Sequence, residues 1–226
     1  MLYIADTADL EAIRHINEFY PLAGVTTNPS IVSREHTDFW TLMQNIRAII
    51  GPEKMLHIQT VQTDAAGMIA EARLLKEKIG GSLYVKIPIG EEGLKATMAI
   101  KEQGIAGVTM TAVFTPAQAL MAATAGADFV APYVNRLDNI LGNGVAVVAE
   151  IAELFRVHDV QDCRVLAASF KNAQQIHECA LAGCHSVTIA PDLFKTLISH
   201  PTTDAAVAGF SADWQSVYAD GTILTV

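Results

Sequence analysis

The sequence predicts an α/β fold of the (β/α)8 TIM barrel class with an extra C-terminal helix. About eight short apolar segments alternate with segments of helical periodicity, which indicates parallel βαβ units. No two strands are joined by a hairpin signal, and the 226 residues suit one barrel domain. An open doubly wound sheet is the alternative, but Asp6–Asp9 after the first strand does not resemble its glycine-rich dinucleotide motif.

Strands are expected where short runs rich in apolar and β-branched residues are bounded by turn residues. These runs are Leu2–Ala5, Pro21–Val25, Met55–Thr60, Ser82–Ile89, Gly107–Phe114, Ala127–Val134, Arg164–Ser169 and Ser186–Ala190. The helices expected between them are Ala8–Phe19, Thr37–Ile50, Asp64–Ile79, Glu91–Gln103, Pro116–Ala125, Gly142–His158 and Asn172–Leu181. Pro29 also favours the first position of a short helix.

A further helix is expected over Thr202–Asp220, after Pro201. Its apolar residues recur at helical spacing on one face. They are Val207, Phe210, Trp214, Val217 and Tyr218. This face packs either on its own barrel or on a neighbouring subunit, and the sequence leaves both possibilities open.

Lys86 lies inside the apolar fourth strand, where a lysine is rarely buried without a partner or a task. Burial disfavours the ammonium form, and a neutral lysine amine is the nucleophile of Schiff-base chemistry. The alternative is a structural lysine that extends to water or pairs with an acid.

Other polar residues gather at the carboxyl ends of the predicted strands, where barrel enzymes have their active sites. The set is Asp6, Asn28, Gln59, Lys86, Thr111, Tyr133, Asn135, Arg136 and Ser169. A lysine, a carboxylate, a phenol, an amide and hydroxyls on one rim suit aldol chemistry.

Each of these residues also has a structural interpretation. Asp6 is a candidate cap for the first helix, and Ser169 for the helix that begins at Asn172. Asn28 before Pro29 is typical of a turn. Arg136 is a candidate ion-pair partner of Asp138 or Glu150.

The cysteines and nearby histidines do not predict a metal site. Cys163, Cys179 and Cys184 form no CxxC pair, and His177 and His185 do not complete a zinc-like spacing with them. An odd, small number of cysteines indicates reduced thiols.

Four long segments resemble the transaldolase family, and within it the short-chain branch of fructose-6-phosphate aldolases. They are Leu22–Ile31, Val85–Pro88, Ala131–Arg136 and Val165–Lys171, and the likeness extends over nearly the whole chain. Gln59 and Tyr133 match the aldolases, since transaldolases have Glu and Phe at these positions. The chain differs from the aldolases at Phe114, usually Tyr, at His57, usually smaller or apolar, and in a segment one residue longer near Thr111.

The resemblance implies a class I aldolase that forms and cleaves fructose 6-phosphate from dihydroxyacetone and glyceraldehyde 3-phosphate. Lys86 would form the Schiff base, and Tyr133, Gln59 and Thr111 would hold the catalytic water. By the same likeness, the dihydroxyacetone part would be bound by Asp6 and Asn28, with Thr26 also in contact with the substrate. Arg136 and Ser169 would bind the phosphate. The alternative is a transaldolase that transfers the same three-carbon unit between sugar phosphates.

No cofactor and no metal is expected, because the iminium polarises the substrate in place of a metal ion. The net charge of −9 argues against nucleic acid as a partner. The first residues do not resemble a signal peptide and no long apolar run is present, so we expect a cytoplasmic protein without a membrane partner. The resemblance implies a homo-oligomer, in which pentamers pair into decamers and the C-terminal helix lies across a neighbouring subunit.

Overall fold

The computed structural model describes residues 1–225 and contains a closed barrel of eight parallel strands, each paired with the next and β8 paired with β1. The strands are β1 Leu2–Asp6, β2 Leu22–Thr26, β3 Met55–Gln59, β4 Leu83–Pro88, β5 Gly107–Val113, β6 Phe129–Pro132, β7 Arg164–Ala167 and β8 Ser186–Ile189. The predicted (β/α)8 barrel is confirmed.

Helices alternate with these strands. They are α1 Leu10–Phe19, α2 Pro29–Val32, α3 Phe39–Ile50, α4 Ala65–Ile79, α5 Glu91–Glu102, α6 Pro116–Thr124, α7 Val134–Asp138, α8 Gly144–Val157, α9 Ala173–Leu181, α10 Pro191–Ile198 and α11 Pro201–Tyr218. Within residues 1–225, none of these helices has both the length and the apolar character needed to span a membrane.

Short polar side chains fix where several helices begin, since each accepts a hydrogen bond from a backbone N–H of the first turn. Asp9 caps α1, and Asp64 caps α4. Thr115 and Gln118 bond reciprocally at the start of α6, as in a capping box. Asn172 caps α9. The caps set the loops at the carboxyl ends of the strands, where a barrel enzyme binds its substrate.

The structure differs from the sequence prediction at the end of β6. The strand was predicted over Ala127–Val134 but extends only over Phe129–Pro132, and the chain then forms the helix α7. The amides of Val134 and Asn135 donate to the carbonyls of Ala168 and Ser169 at 3.0 and 2.9 Å. Tertiary bonds therefore turn a segment of β-like composition into a helical turn.

The barrel interior is filled by side chains from several strands. Ile4, Phe129 and Leu166 form a buried cluster, and Tyr84 packs against it. His57 stacks on the ring of Tyr84 with centroids 4.7 Å apart. Aromatic packing of this kind closes the interior below the rim.

β5 contains a β-bulge near its carboxyl end. Met110 pairs with Val130 and Val113 with Pro132, so three steps on β5 match two on β6. Ala112 has a φ of 57°, in the left-handed region that residues with a Cβ seldom adopt. The bulge therefore places one additional residue of β5 opposite β6.

The chain divides into two compact units, one from Met1 to Phe194 and one that begins at Lys195. The first contains the whole barrel. In the second, the Trp214 ring packs on that of Tyr218, and its Nε1 donates to the carbonyl of Gly221 at 2.7 Å.

Candidate active site

Lys86 lies in the wall of the barrel with 5% of its surface exposed. Its register partners are Gln59 on β3 and Thr109 on β5. Nζ donates to the carbonyl oxygen of Thr27 at 2.7 Å. Among the described residues no carboxylate lies within salt-bridge distance of Nζ, so neither structural interpretation fits: the amine neither reaches open water nor forms an ion pair.

Burial lowers the pKa of Lys86 from its ordinary value, and the negative charge of Asp6 offsets part of that effect. The dominant cause is loss of solvation, because the ammonium form cannot be hydrated inside the barrel. A larger fraction of the side chain is therefore the neutral amine at a given pH. This is the form that attacks a carbonyl carbon.

Asp6 belongs to a chain of hydrogen bonds across the rim. The Thr26 hydroxyl donates to Asp6 Oδ1 at 2.7 Å and lies 2.6 Å from the hydroxyl of Thr188 on β8. Because the only hydroxyl proton of Thr26 is used toward Asp6, Thr188 must be the donor in the second bond. Asp6 does not cap α1, since Asp9 does so.

Thr188 is a residue that the sequence analysis missed. It is 4% exposed and faces the same network as Thr26. The available signal was the alternation of Ser186 and Thr188 in a strand that is otherwise apolar, which places both hydroxyls on one face.

Tyr133 and Thr111 come together as the resemblance implies, with their hydroxyl oxygens 2.9 Å apart. The guanidinium carbon of Arg136 lies 4.8 Å from the centre of the Tyr133 ring. The Phe114 ring meets the same phenol ring edge-on at 5.5 Å. These contacts fix the phenol in the rim and bring the cation of Arg136 beside it.

Gln59 and Asn28 lie at the ends of neighbouring segments of the rim. Gln59 is directly opposite Lys86 in the β3–β4 register. Asn28 Oδ1 accepts a hydrogen bond from the amide of Ile31 at 3.0 Å, which caps α2. The structural interpretation of Asn28 is therefore correct for its oxygen.

Arg136 is not paired with either of the two acids that the sequence offered. Within residues 1–225 no carboxylate lies within salt-bridge distance of its guanidinium, and one oxygen of Asp138 accepts from the amide of Gly144 at 2.8 Å.

Ser169 does not cap the next helix, since Asn172 does so. Ser169 has a φ of 63° and its carbonyl accepts from Asn135, next to Arg136. The backbone bond from Asn135 to Ser169 therefore joins the segment of Arg136 to that of Ser169, and within residues 1–225 the guanidinium has no carboxylate partner.

His57 lies inside the barrel with no exposed surface. Its Nδ1 is 2.8 Å from the hydroxyl of Thr109, and its Nε2 has no hydrogen-bond partner among the described residues. Burial, with a smaller contribution from the charge of Lys86, lowers its pKa to about 3. The imidazole is therefore neutral at pH 7 and adds no second positive charge to the surroundings of Lys86.

The three cysteines are buried free thiols. Burial raises the pKa of Cys163 and Cys179 to about 12 and that of Cys184 to about 11, so the reactive thiolate is disfavoured. In the described part of the chain, no three His, Cys, Asp or Glu side chains come together as metal ligands.

The family model described as Transaldolase/Fructose-6-phosphate aldolase matches residues 3–221 of the chain. The match includes every strand of the barrel except the first residue of β1, and every residue placed above in the candidate site. It also includes α11.

Solved structures with the same fold are much more distant in sequence. A structure described as native KDPGal is 16% identical, with 96% of this chain and 95% of that chain covered and a TM-score of 0.59. Dihydrodipicolinate synthase from Rhodopseudomonas palustris is 11% identical, with 96% and 79% covered and a TM-score of 0.61. A mandelate oxidase variant is 11% identical, with 92% and 70% covered and a TM-score of 0.60. At these identities the likeness is one of fold.

Proposed function

Since the chain belongs to the transaldolase/fructose-6-phosphate aldolase family, we propose that it is a class I aldolase acting on fructose 6-phosphate through a Schiff base on Lys86. The observation that carries the proposal is the buried amine of Lys86, which within residues 1–225 bonds to a backbone carbonyl and to no carboxylate. Desolvation keeps it nucleophilic, and Asp6 on β1 is close enough to influence its charge.

In the proposed reaction the Lys86 amine attacks the C2 carbonyl of fructose 6-phosphate, and the adduct loses water to give an iminium. A water activated by Tyr133 takes the proton of the C4 hydroxyl. The C3–C4 bond then breaks, its electron pair moves to the iminium to form an enamine, and glyceraldehyde 3-phosphate leaves. Protonation of the enamine at C3 and hydrolysis of the resulting iminium release dihydroxyacetone and restore the amine.

The other rim residues have roles that follow from their contacts. Thr111, 2.9 Å from the phenol oxygen, and the amide of Gln59 would hold the catalytic water between them. Asp6, with Thr26 donating to it, and Asn28 would bind the hydroxyls of the dihydroxyacetone part.

At the other end of the substrate, Arg136 and Ser169 would bind the phosphate. Within residues 1–225 no carboxylate pairs with the guanidinium, so it can form the paired hydrogen bonds that a phosphate accepts. The hydrogen bond from the amide of Asn135 to the carbonyl of Ser169 joins the two segments that carry these side chains.

The covalent step is tested by borohydride reduction in the presence of dihydroxyacetone, followed by mass spectrometry of the peptides. We expect one adduct, on Lys86, which Lys86→Met abolishes and which Lys95→Met, at an exposed lysine of α5, leaves unchanged. Wild-type protein without an adduct would leave only a sugar-phosphate-binding barrel without covalent chemistry.

Transaldolase activity is the second candidate, and the choice depends on Tyr133 and Gln59. A phenol that activates water favours release of free dihydroxyacetone, whereas without it the enamine awaits a second aldehyde. The test is incubation of fructose 6-phosphate with and without erythrose 4-phosphate. Free dihydroxyacetone as the main product supports the aldolase, and dominant transfer to erythrose 4-phosphate would overturn it in favour of the transaldolase.

We also propose that the protein is a homo-oligomer in which α11 docks on a neighbouring subunit. Phe210 and Val217 on this helix are exposed in the single chain, and an apolar helix face of this kind favours a protein contact. Native mass measurement should give a pentamer or decamer, and Phe210→Ser should lower the assembled fraction. A wild-type monomer at micromolar concentration would refute this assembly.

A further inference from the structure

Gln175 is a buried amide that joins two segments of the rim. It lies in the first turn of α9 and is 9% exposed. Its Oε1 accepts from the backbone amide of Lys171 at 2.8 Å. Its Nε2 donates to Asp138 Oδ2 at 2.7 Å and to Asn135 Oδ1 at 3.3 Å. All the polar atoms of this side chain are therefore used in bonds between elements.

The two segments are those that carry the proposed phosphate ligands. Lys171 follows Ser169 by two positions, and Asn135 and Asp138 lie on either side of Arg136 in α7. Asn135 and Asp138 are three positions apart and therefore share a face of α7. Through its bonds to both, Gln175 holds this face against α9. Arg136 is directed elsewhere, over the ring of Tyr133 at 4.8 Å.

The helix α7 needs such a support. It has five residues, and its N-cap residue Tyr133 makes no side-chain capping bond. A single helical turn is not stable by itself, because the cost of nucleation exceeds what one or two hydrogen bonds return. A hydrogen bond to a carboxylate is among the stronger ones available, so the partly buried bond from Gln175 to Asp138 is well suited to fix the rotation of α7.

We propose that Gln175 is a positioning residue that sets the preference of this enzyme for phosphorylated substrates. It holds the guanidinium of Arg136 and the loop of Ser169 in one fixed arrangement without itself touching the phosphate. The inference rests on the proposed function, because it assigns the phosphate to Arg136 and Ser169. Loss of Gln175 should then weaken binding of a phosphorylated aldehyde and leave a phosphate-free aldehyde unaffected.

The test uses synthesis from dihydroxyacetone with either glyceraldehyde 3-phosphate or glyceraldehyde as acceptor. Gln175→Glu keeps an oxygen for the amide of Lys171 but places a second carboxylate against Asp138. We expect KM for glyceraldehyde 3-phosphate to rise about tenfold, while KM for glyceraldehyde stays within about twofold. The matched control is Gln174→Glu, the same change at the exposed neighbour on α9, which should alter neither value.

A reciprocal exchange separates a specific bond from general damage. In the double variant Gln175→Glu with Asp138→Asn, the introduced amide can donate to the introduced carboxylate and restore the contact with its polarity reversed. We expect the double variant to recover most of the phosphate preference. An equal loss for both acceptors, no loss in the single variant, or no recovery in the double variant would each overturn the proposal.

If Gln175→Glu does not fold, Gln175→Met provides the same comparison, because it keeps the length of the side chain and removes all three hydrogen bonds. Trapping of dihydroxyacetone on Lys86 should remain at the wild-type level in every variant, since this donor has no phosphate. Failure of trapping in the wild type would refute the proposed function. Normal trapping with an unchanged acceptor preference would refute the role of Gln175 alone.

Discussion

Acidification from pH 7 to pH 5 should destabilise the barrel through His57. The imidazole has a pKa of about 3 in the folded chain and about 6.5 when the chain is unfolded. Between these values the unfolded chain binds a proton that the folded chain does not. The contribution of His57 to stability is therefore fully present above pH 6.5 and is lost as the pH falls toward 3.

The size of the effect follows from the two pKa values. Between pH 7 and pH 5 the proton taken up by the unfolded imidazole lowers the free energy of unfolding by about 2 kcal/mol. The whole effect, reached near pH 3, is about 5 kcal/mol. The physical origin is the site itself, where the ring is stacked on Tyr84 and without exposed surface, so an imidazolium would lose its hydration.

The assay is urea unfolding followed by circular dichroism at pH 7, 6 and 5, for the wild type and for His57→Leu. The variant also loses the bond to Thr109, so its stability at any one pH is not informative. The difference in slope between the two proteins is informative, because titration of the carboxylates is common to both. The matched control His177→Leu, at an exposed histidine of α9, should keep the wild-type slope.

We expect the wild type to lose about 2 kcal/mol more than His57→Leu between pH 7 and pH 5. Equal losses in the two proteins would refute the inference that the buried imidazole stays neutral. Nitrogen NMR of labelled histidine gives an independent reading if the variant does not fold. The ring of His57 should remain neutral at pH 5, and a protonated His57 would contradict the prediction.

Three other predictions concern the rim. Lys86→Met should abolish cleavage yet raise the free energy of unfolding at pH 7, because burial lowers the pKa of Lys86. This gain in stability should shrink as the pH rises toward the pKa of about 10.5 in the unfolded chain. Denaturant curves at pH 7 and 10 measure it, and an equal gain at both would contradict the prediction. Tyr133→Phe should lower release of free dihydroxyacetone relative to transfer by at least about 100-fold, and an unchanged product ratio would remove the phenol from its role. Thr188→Val should raise KM for dihydroxyacetone about fivefold through the lost bond to Thr26, whereas Thr188→Ser should not, and equal KM values in both would argue against the network that reaches Asp6.

The barrel was predictable because its strands have a simple sequence pattern. Fully covered parallel strands need continuous apolar runs between turn residues, and the fourth strand satisfies this so closely that the predicted Ser82–Ile89 and the observed Leu83–Pro88 differ by one residue at each end. The first residue of a helix was harder to predict, since Asp6 was the candidate cap for the first helix. Asp9 rather than an earlier residue caps α1, so that helix begins at Leu10 instead of the predicted Ala8.

The segments that were missed depend on contacts distant in the sequence. Nothing local in Val134–Asp138 indicates a helical turn, since the bonds that hold it come from the end of β7 and from α9.

The helix α10 after Pro191 was also not predicted, although proline at the first helical position is a known signal.

The candidate site was predictable to the extent that its residues occupy strand ends. Parity along a strand and the common rim of a barrel bring Lys86, Asp6 and Tyr133 to one place without any knowledge of contacts. Thr188 and Gln175 act through other side chains, and a buried threonine or glutamine has the same sequence signature whether it supports a site or only the fold. Such residues become visible only when their hydrogen bonds are known.

The irregularity at Ala112 has a geometric consequence for the phenol. In an uninterrupted strand, residues an odd number of positions apart point to opposite sides of the sheet. Thr111 and Phe114 are three positions apart, yet the hydroxyl of one and the ring of the other both touch Tyr133. The bulge reverses the alternation between them, so that β5 and the residue directly after it contact Tyr133 from two directions. Before the bulge, β5 keeps regular pairing with β4 and β6.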